Sequence, residues 1–171
     1  MKSEPVFLRA LEPADIKRTM RWHNDAALYE TLGGTFRFVS REAEAAWLRR
    51  KSGTSEDEVN LAICLTRTRR HIGNIYLRGI DWVARHGEVQ LFIGGRADRG
   101  RGYGASAVRQ LAAHAVGALG LRRLFLCVLK GNAAARRTYA QCGFRVEGTL
   151  RRHAFKDGRF RDVVIMGWVP A

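Results

Sequence analysis

Cysteine, proline and long apolar runs are all scarce in this chain of 171 residues. Its three cysteines form no CxxC pair, which predicts reduced thiols in a reducing compartment and argues against a disulfide framework. The five histidines show neither HxH nor HExxH spacing, so no metal site is predicted. No apolar run approaches the ~18 residues that cross a bilayer. The segment Met1–Pro5 lacks the apolar stretch of a signal peptide, so we expect a cytoplasmic protein without a membrane partner.

Acidic residues are also few. There are 16 against 30 basic ones, which gives a net charge of +14, and such a field favours anionic ligands over polycations. The basic residues are 25 Arg and 5 Lys spread along the chain, and they do not form the short dense runs of nucleic-acid-binding arms. A nucleic-acid partner is therefore not expected.

Length and patterning indicate an ordinary globular protein. Apolar residues make up 46% and charged residues 27%, which excludes disordered, collagen-like and coiled-coil classes. We expect one domain over residues 1–171. Hydrophobic periodicity and turn signals predict strands at Val6–Leu8, Asn60–Thr66, His71–Ile80, Glu88–Ile93, Leu124–Leu129, Phe144–Leu150 and Val163–Val169. The predicted helices run from Pro13 toward Trp22, over Ala26–Thr31, from a Ser40 cap with Glu42 and Glu44 in the first turn, over Gly102–Leu119 and over Asn132–Cys142.

This order predicts an α/β (α+β) fold with a mostly antiparallel sheet. One strand–helix–strand crossover, from Glu88 to Leu129, should be right-handed and should make its two strands parallel. Asp157-Gly158 is a strong turn signal for a terminal hairpin.

A glycine-rich hexapeptide, Arg99-Gly100-Arg101-Gly102-Tyr103-Gly104, lies inside the crossover. It follows a strand and opens a helix, so its backbone N–H groups can hold a phosphate at the helix N-terminus. A dinucleotide-binding fold would carry such a loop in its first strand–helix turn, with an acidic residue ~20 positions further on. The loop here is at mid-chain, and no acidic residue lies between Asp98 and Glu147. A nicotinamide fold is therefore disfavoured, and the Walker pattern is absent.

A second cluster comprises Asn132, Tyr139 and Gly143-Phe144. Asn132 and Tyr139 are seven residues apart, close to two helical turns, so they share one helix face. A phenol in that position can hold a hydrogen bond or donate a proton. The alternative is structural: Asn132 as an N-cap, Tyr139 as packing and Gly143 as the residue that ends the helix.

Taken together, these motifs resemble one enzyme family. The joint pattern is strand–RxxGxG–helix–strand–N(x6)Y(x3)GF–EG, with Leu8-Arg9-Ala10-Leu11 and Trp22-His23-Asn24-Asp25 before it and Asp157-Gly158 to Asp162 after it. It is similar to the GCN5-related N-acetyltransferase (GNAT) superfamily, in the branch of ribosomal-protein-alanine, amino-sugar and spermidine N-acetyltransferases. The resemblance implies a central sheet with helices on both faces and a splayed pair of parallel strands.

The resemblance also implies a cofactor site for acetyl-CoA, without a metal. The amides of Arg99, Gly100, Arg101, Gly102, Tyr103 and Gly104 would bind the pyrophosphate, with charge from the two arginines. The first splayed strand would pair with the pantetheine arm, and an N–H near Leu91, Phe92 or Ile93 would polarise the thioester carbonyl. Asn132 would lie beside the same arm.

For catalysis, the resemblance implies that Tyr139 protonates the leaving thiolate. Glu88 would be the base, directly or through water, and His23 or His153 could replace it. The acceptor pocket would form between the front helices and the terminal hairpin. The predicted acceptor-binding residues are Trp22, His23, Asn24, His153 and Phe155.

The expected acceptor is a primary amine of an amino-sugar derivative, ranked slightly ahead of a protein or peptide N-terminus, and a polyamine is the alternative. Aromatic, Asn and His side chains suit an amino-sugar derivative or a protein or peptide N-terminus. The segment Glu88-Val89-Gln90 favours spermidine instead, since it resembles the Glu-x-Gln of spermidine acetyltransferases. Two other classes also remain: a non-catalytic acyl-CoA-binding module and a basic nucleic-acid-binding module. A homodimer is compatible with the sequence.

Overall fold

The computed structural model describes residues 6–170, so the predictions that concern Met1–Pro5 lie outside the described residues. Seven strands and five α-helices alternate along this range. The strands are β1 (Val6–Ala10), β2 (Val59–Leu65), β3 (His71–Asp81), β4 (His86–Ile93), β5 (Arg123–Leu129), β6 (Arg145–Lys156) and β7 (Arg159–Trp168). The helices are α1 (Ile16–His23), α2 (Ala26–Tyr29), α3 (Arg41–Ser52), α4 (Tyr103–Gly117) and α5 (Ala133–Gln141), with 3-10 turns at Pro13–Asp15 and Arg96–Asp98.

The strands form one sheet in the order β1-β2-β3-β4-β5-β7-β6. Every neighbouring pair is antiparallel except β4 and β5, which are parallel. The predicted mixed sheet and its parallel crossover are therefore confirmed. The Ser40 hydroxyl caps α3 as expected, by accepting a hydrogen bond from the Ala43 N–H at 3.1 Å.

The terminal hairpin is longer than the sequence predicted. We expected its strands to end at Leu150 and to resume at Val163, but β6 and β7 continue to the Asp157-Gly158 turn. The pairing register shifts between Leu150 and Ala154. This bulge interrupts the alternation of apolar and polar residues on which strand prediction depends.

Helices cover both faces of the sheet, and each face has its own core. On one face, α4 residues such as Val108 and Leu111 pack with Ile63, Ile75 and Leu126 of the strands. On the second face, the core is formed by the residues of β2 and β3 that alternate with those of the first core. Its cluster is Leu11, Leu48, Ala62, Cys64 and Tyr76, with Ile16 and Trp47 packed against it. The α1 and α3 side of the molecule is thus anchored on β2 and β3.

The parallel pair separates soon after it forms. Pairing between β4 and β5 is limited to His86–Glu88 with Arg123–Phe125. Beyond Glu88 the two strands diverge, and the edge of β4 that faces β5 lacks a strand partner. This gap in the middle of the sheet is where the cavities described below open.

Asp15 fastens the first helical segment to the sheet. Its buried carboxylate accepts hydrogen bonds from the Arg9 guanidinium at 2.7 and 2.8 Å and from the Glu12 N–H at 2.9 Å, and the His71 ring lies 3.1 Å away. Burial acts to raise the pKa of Asp15, but the Arg9 hydrogen bonds, together with Glu12 and His71, outweigh it and hold the pKa below its usual range.

Replacing Asp15 should therefore destabilise the fold in a pH-dependent way. Asp15→Asn is expected to lower the free energy of unfolding at pH 7 by about 3 kcal/mol, because it leaves Arg9 without its counter-ion. A carboxyl whose folded pKa is depressed stabilises the fold above its unfolded pKa of ~3.9, and this stabilisation is lost as the pH falls through the folded value. Urea unfolding of both proteins at pH 7 and pH 3 measures the effect. A stability difference that stays the same at pH 3 would contradict it.

Candidate functional site

Two cavities meet at the gap between β4 and β5. The α4 cavity, of about 410 Å³, lies between the end of β4, the start of α4 and α5. The β5 cavity, of about 500 Å³, lies between α1, α2 and strands β3, β4 and β5. Both have a common wall, formed by Leu28, Thr31, Leu32, Leu91, Phe92, Asn132, Ala135 and Tyr139. A ligand in one cavity is therefore separated from a ligand in the other only by these side chains.

The glycine-rich loop forms one end of the α4 cavity. Gly100 and Gly102 have φ values of +73° and +80°, a left-handed conformation that favours glycine. Gly102 is the N-cap of α4 and supplies no side-chain cap, so the N–H groups of the first turn stay available. The only acidic residue lining this cavity, among those described, is Asp98, whose carboxylate accepts two hydrogen bonds from Arg70. These features suit an anion such as a diphosphate.

The two arginines of the loop differ in position. Arg99 lines the α4 cavity, but its guanidinium donates to the carbonyls of Ile93 at 3.0 Å and Gly94 at 2.9 Å. It therefore ties the loop to the end of β4 and adds positive charge at the cavity. Arg101 is exposed and is not among the residues lining the cavity, which departs from the prediction that its side chain joins Arg99 at the pyrophosphate. The remaining predicted cofactor residues, including Tyr103 and Gly104, line the α4 cavity.

Asn132 is the N-cap of α5, as the structural alternative predicted, and it also lies at the two cavities. Its side-chain oxygen caps α5 by accepting from the Ala135 N–H at 3.1 Å, and its amide donates to the Thr31 carbonyl at 3.0 Å. The Asn132 amide thus links α5 to the segment after α2. Gly143 ends α5 with a φ of +90°, as expected.

Tyr139 lies on the common wall of the two cavities. Its ring packs against Phe144 at 6.0 Å between centroids. Burial, with a smaller contribution from Cys142, raises the pKa of Tyr139 to about 12. The phenol is therefore protonated at neutral pH, and it can donate a proton to a group held in either cavity.

Glu88 stands where the parallel strands separate. It pairs with Arg78 of β3 and Phe125 of β5, and it is the last residue of β4 with a partner on both sides. Its side chain lines the β5 cavity. The aromatic residues Tyr29, Trp47 and Tyr76 line the same cavity, as does Arg78, whose guanidinium lies 4.9 Å from the centre of the Tyr76 ring. A carboxylate and aromatic rings in one cavity attract an ammonium group, and the neighbouring guanidinium opposes that attraction.

His23 also lines the β5 cavity, in agreement with its predicted place. Its Nδ1 lies 2.7 Å from Glu44 Oε2, and its ring meets Trp47 edge-on at 4.6 Å. Glu44 is fully buried. From the sequence, Glu44 is predicted only as an acidic residue of the first helical turn. Its position four residues before the buried Leu48, on the inward face of α3, was the signal for a role in the interior.

Two predicted acceptor residues of the front helices lie elsewhere. Trp22 is 7% exposed, and its ring packs edge-on against His71 and Phe92 and leaves no room for a Cβ at Gly94. It packs against Phe92 of β4 and is not among the residues that line either cavity. The Asn24 side chain bonds the Met20 carbonyl and both backbone groups of Val39, so its polar atoms are used to hold the chain between α2 and α3.

The hairpin residues His153 and Phe155 are also outside both cavities. Both are exposed, and Phe155 packs against Phe160 at 5.1 Å. The register shift in β6 changes which side chains face the molecule. The hairpin residue that reaches the site is Lys156, whose ammonium donates to the carbonyls of Tyr29, Leu32 and Gly34 at 2.5, 2.6 and 2.9 Å.

Removing the Lys156 ammonium should loosen the segment after α2, which forms part of the common wall. Lys156→Met keeps the aliphatic stem but leaves three carbonyls without their donor, and we expect a loss of about 1–3 kcal/mol in unfolding free energy. The KM for the acceptor should rise several-fold. Lys130→Met, at a lysine that is 58% exposed and paired with Asp162, is the matched control. Equal melting temperatures and equal KM values in the two variants would contradict this role.

Within residues 6–170, no helix is long and apolar enough to cross a membrane. In the same range, no three or more His, Cys, Asp or Glu side chains are grouped so as to hold a metal ion.

Comparison with known proteins assigns the family. The model of the acetyltransferase (GNAT) domain matches residues 6–145. The chain belongs to the GNAT family. A protein of Bacillus subtilis assigned as a ribosomal N-acetyltransferase, YdaF, is 32% identical over 95% of this chain and 90% of its own length. The spermidine N(1)-acetyltransferase of Vibrio cholerae is 30% identical over 54% of this chain, and that alignment spans only 53% of the Vibrio enzyme.

Solved structures of GNAT enzymes have the same fold. The crystal structure of spermidine N-acetyltransferase from Vibrio cholerae in complex with CoA and spermine matches with a TM-score of 0.87 and 25% identity, over 96% of this chain and 95% of that one. The resemblance to the GNAT superfamily, and the mixed sheet that it implied, are thus confirmed.

Proposed function

We propose that this GNAT chain is an acetyl-CoA-dependent N-acetyltransferase that acetylates a primary amine of a small polyamine such as spermidine. The observation that carries the proposal is the pair of cavities that meet at Tyr139 across the splayed strands. One cavity ends in an uncapped helix N-terminus, and the other presents a carboxylate and aromatic rings. An acyl donor and an amine can thus approach one another from opposite sides.

The α4 cavity fits the coenzyme. The first-turn N–H groups of α4 and the left-handed Gly100 and Gly102 would hold the diphosphate. Leu91, Phe92 and Ile93 line the cavity on a strand edge that β5 leaves unpaired, so β4 can offer backbone groups to the pantetheine amides. A backbone N–H there would polarise the thioester carbonyl. The matching Vibrio cholerae structure contains CoA, which supports the same assignment.

The reaction needs one base and one acid. An acceptor ammonium must lose a proton before its nitrogen can attack, and the departing thiolate must gain one. Tyr139 is protonated at neutral pH and stands on the common wall, so it is the proposed acid. Glu88, in the β5 cavity, attracts the ammonium and is the base predicted from sequence, directly or through water.

A polyamine acceptor is preferred here to the amino-sugar derivative that the sequence analysis placed first. The Vibrio cholerae relative acts on spermidine, and the lining of the β5 cavity suits a cation. Glu88 contributes a carboxylate, and Tyr29 and Trp47 contribute aromatic rings that attract ammonium groups. Arg78 lines the same cavity and lies over the Tyr76 ring, so the acceptor amine should bind on the side of Glu88, Tyr29 and Trp47. The net charge of +14 describes the whole surface and not this cavity.

A peptide or protein N-terminus is the second candidate. It is favoured by the Bacillus subtilis relative, which aligns over 95% of this chain. Both candidates use the same donor and the same acid, so only the acceptor distinguishes them.

An amine panel with detection of free thiol tests the proposal. Spermidine, a peptide beginning with Ala and an amino-sugar nucleotide are compared with acetyl-CoA at moderate salt, and spermidine should give the highest kcat/KM. A higher value for the peptide would support the second candidate. Thiol release no faster than without acceptor, together with a retained acetyl-CoA melting shift, would support a non-catalytic acyl-CoA-binding module. RNA binding without that melting shift would support the nucleic-acid-binding module.

A further inference from the structure

His23, which lines the β5 cavity, forms a pair with the buried Glu44, and the proposed reaction assigns no role to this pair. His23 is the last residue of α1, and Glu44 lies in the first turn of α3. The 2.7 Å contact between His23 Nδ1 and Glu44 Oε2 joins the two helices. The side chain of Glu44 is 0% exposed and that of His23 is 15% exposed, so only the histidine can reach a ligand.

The geometry determines which ring nitrogen is free. A carboxylate can only accept a hydrogen bond, so Nδ1 carries the proton and donates it to Glu44. The other nitrogen, Nε2, is not the one that contacts Glu44 and, in the neutral ring, has a lone pair. Trp47 meets the ring edge-on at 4.6 Å, and Phe92, on the common wall, lies 6.4 Å from it. The ring is thus held at the cavity, close to the wall shared with the α4 cavity.

Glu44 has an unusual environment for a purely structural carboxylate. Its second oxygen, Oε1, is buried and has no hydrogen-bond partner. A half-satisfied buried carboxylate costs stability, and an imidazolium on Oε2 would offset part of that cost. The pair is therefore arranged so that Glu44 holds the His23 ring through Nδ1.

We propose that His23 is the base that removes the proton from the acceptor ammonium, and that Glu44 is its positioning residue. This inference rests on the proposed function and assigns its base. Glu88 then holds the ammonium in the cavity by charge and need not take its proton. The arrangement is the base-and-orienting-carboxylate pair of general base catalysis, with the carboxylate fixing the tautomer.

The protons balance without a further reactant. His23 Nε2 takes one proton from the acceptor ammonium, and the freed nitrogen lone pair forms the bond to the acetyl carbon. As the carbon–sulfur bond breaks, Tyr139 gives its proton to the thiolate sulfur. The nitrogen loses a second proton as the amide forms, and that proton restores the Tyr139 phenol. His23 releases its proton to solvent.

Several other titratable or charged groups line the same cavity and bear on any pH profile. They are Tyr29 of α2, Tyr76 and Arg78 of β3, Glu88 of β4, Cys127 of β5 and Tyr139 of α5. Burial raises the pKa of Tyr29, Tyr76, Cys127 and Tyr139, so these groups stay neutral at neutral pH. Replacing the group that acts as the base removes the limb that this group causes in the pH profile. The acidic limb of kcat/KM therefore distinguishes His23 from Glu88.

The test uses His23→Ala and Glu44→Gln, with two exposed residues as matched controls, His114→Gln and Glu42→Gln. His23→Ala should lower kcat by ~100-fold with the acetyl-CoA melting shift retained, and added imidazole should restore part of the activity. Glu44→Gln should lower kcat/KM by ~10-fold and displace its acidic limb. Both control variants should match the wild type.

Wild-type turnover in the amine panel tests the proposed function, and the ratio of variant to wild-type turnover tests the His–Glu pair, so the two can fail separately. The proposal is overturned if His23→Ala keeps wild-type kcat. It is also overturned if the loss in His23→Ala resists imidazole and Glu44→Gln leaves the acidic limb in place, since His23 would then serve only packing. An acidic limb that disappears in Glu88→Gln and persists in His23→Ala would assign the base to Glu88.

Discussion

Gly104→Asp is expected to abolish the stabilisation of this GNAT chain by acetyl-CoA. A ligand that binds only the folded state stabilises it by RT ln(1+[L]/Kd), which is about 2.7 kcal/mol at a hundredfold excess over Kd. For a chain of this size that corresponds to a rise of about 5–10 °C in Tm. The aspartate would place a negative charge at the first turn of α4, where the diphosphate should lie.

Gly104→Ala is the matched control for this experiment. A Cβ at Gly104 would lie 3.5 Å from Leu91 Cδ1 and 3.8 Å from Thr138 Cγ2, which are ordinary contacts, so the alanine variant should fold and keep most of the melting shift. Differential scanning fluorimetry with and without acetyl-CoA measures both variants. A full shift in Gly104→Asp would show that the coenzyme binds elsewhere.

Tyr139→Phe should lower kcat by at least ~10-fold, with acetyl-CoA affinity little changed. General acid catalysis contributes about 10²–10⁴-fold, and the substitution removes the hydroxyl but keeps the ring that packs on Phe144. Because the pKa of Tyr139 is about 12, the wild-type phenol should stay protonated, and Tyr139 should cause no basic limb below pH ~10.

Steady-state kinetics with free-thiol detection measure the loss, and the acetyl-CoA melting shift reports whether the site is intact. If Tyr139→Phe turns over like the wild type while its melting shift is retained, Tyr139 serves packing and another group protonates the thiolate. A fall in kcat with an unchanged melting shift would identify the hydroxyl as the proton donor.

Sequence patterns predicted the structure correctly where it depends on residues that are close together in the chain. Gly100, Gly102 and Gly143 take the left-handed backbone that their residue type permits. Ser40 and Asn132 cap the helices that follow them. Helical spacing correctly placed Asn132 and Tyr139 at one site, because a helix face is determined by residues only seven positions apart.

Sequence patterns did not predict which side chains face the cavity, because the neighbours of those side chains come from distant segments of the chain. Trp22 and His23 are adjacent in the sequence, yet Trp22 packs behind β4 and His23 opens on the β5 cavity. Which of two neighbours faces the cavity depends on how α1 lies on the sheet, and this is set in part by the contacts of Asp15 with His71, 56 residues away. No local pattern contains that information.

The residues that the sequence analysis missed have the same explanation. Glu44 reaches His23 over 21 residues, and Lys156 reaches the Tyr29 carbonyl over 127. A buried glutamate and a lysine bound to backbone carbonyls look like ordinary charged residues in the sequence, because burial and partners are properties of the packed chain. The sequence by itself therefore determined the order of the elements, the glycine-rich loop and the position of Tyr139. Only the tertiary structure decided which charged and aromatic side chains surround the acceptor cavity, since their neighbours are brought together by long-range packing.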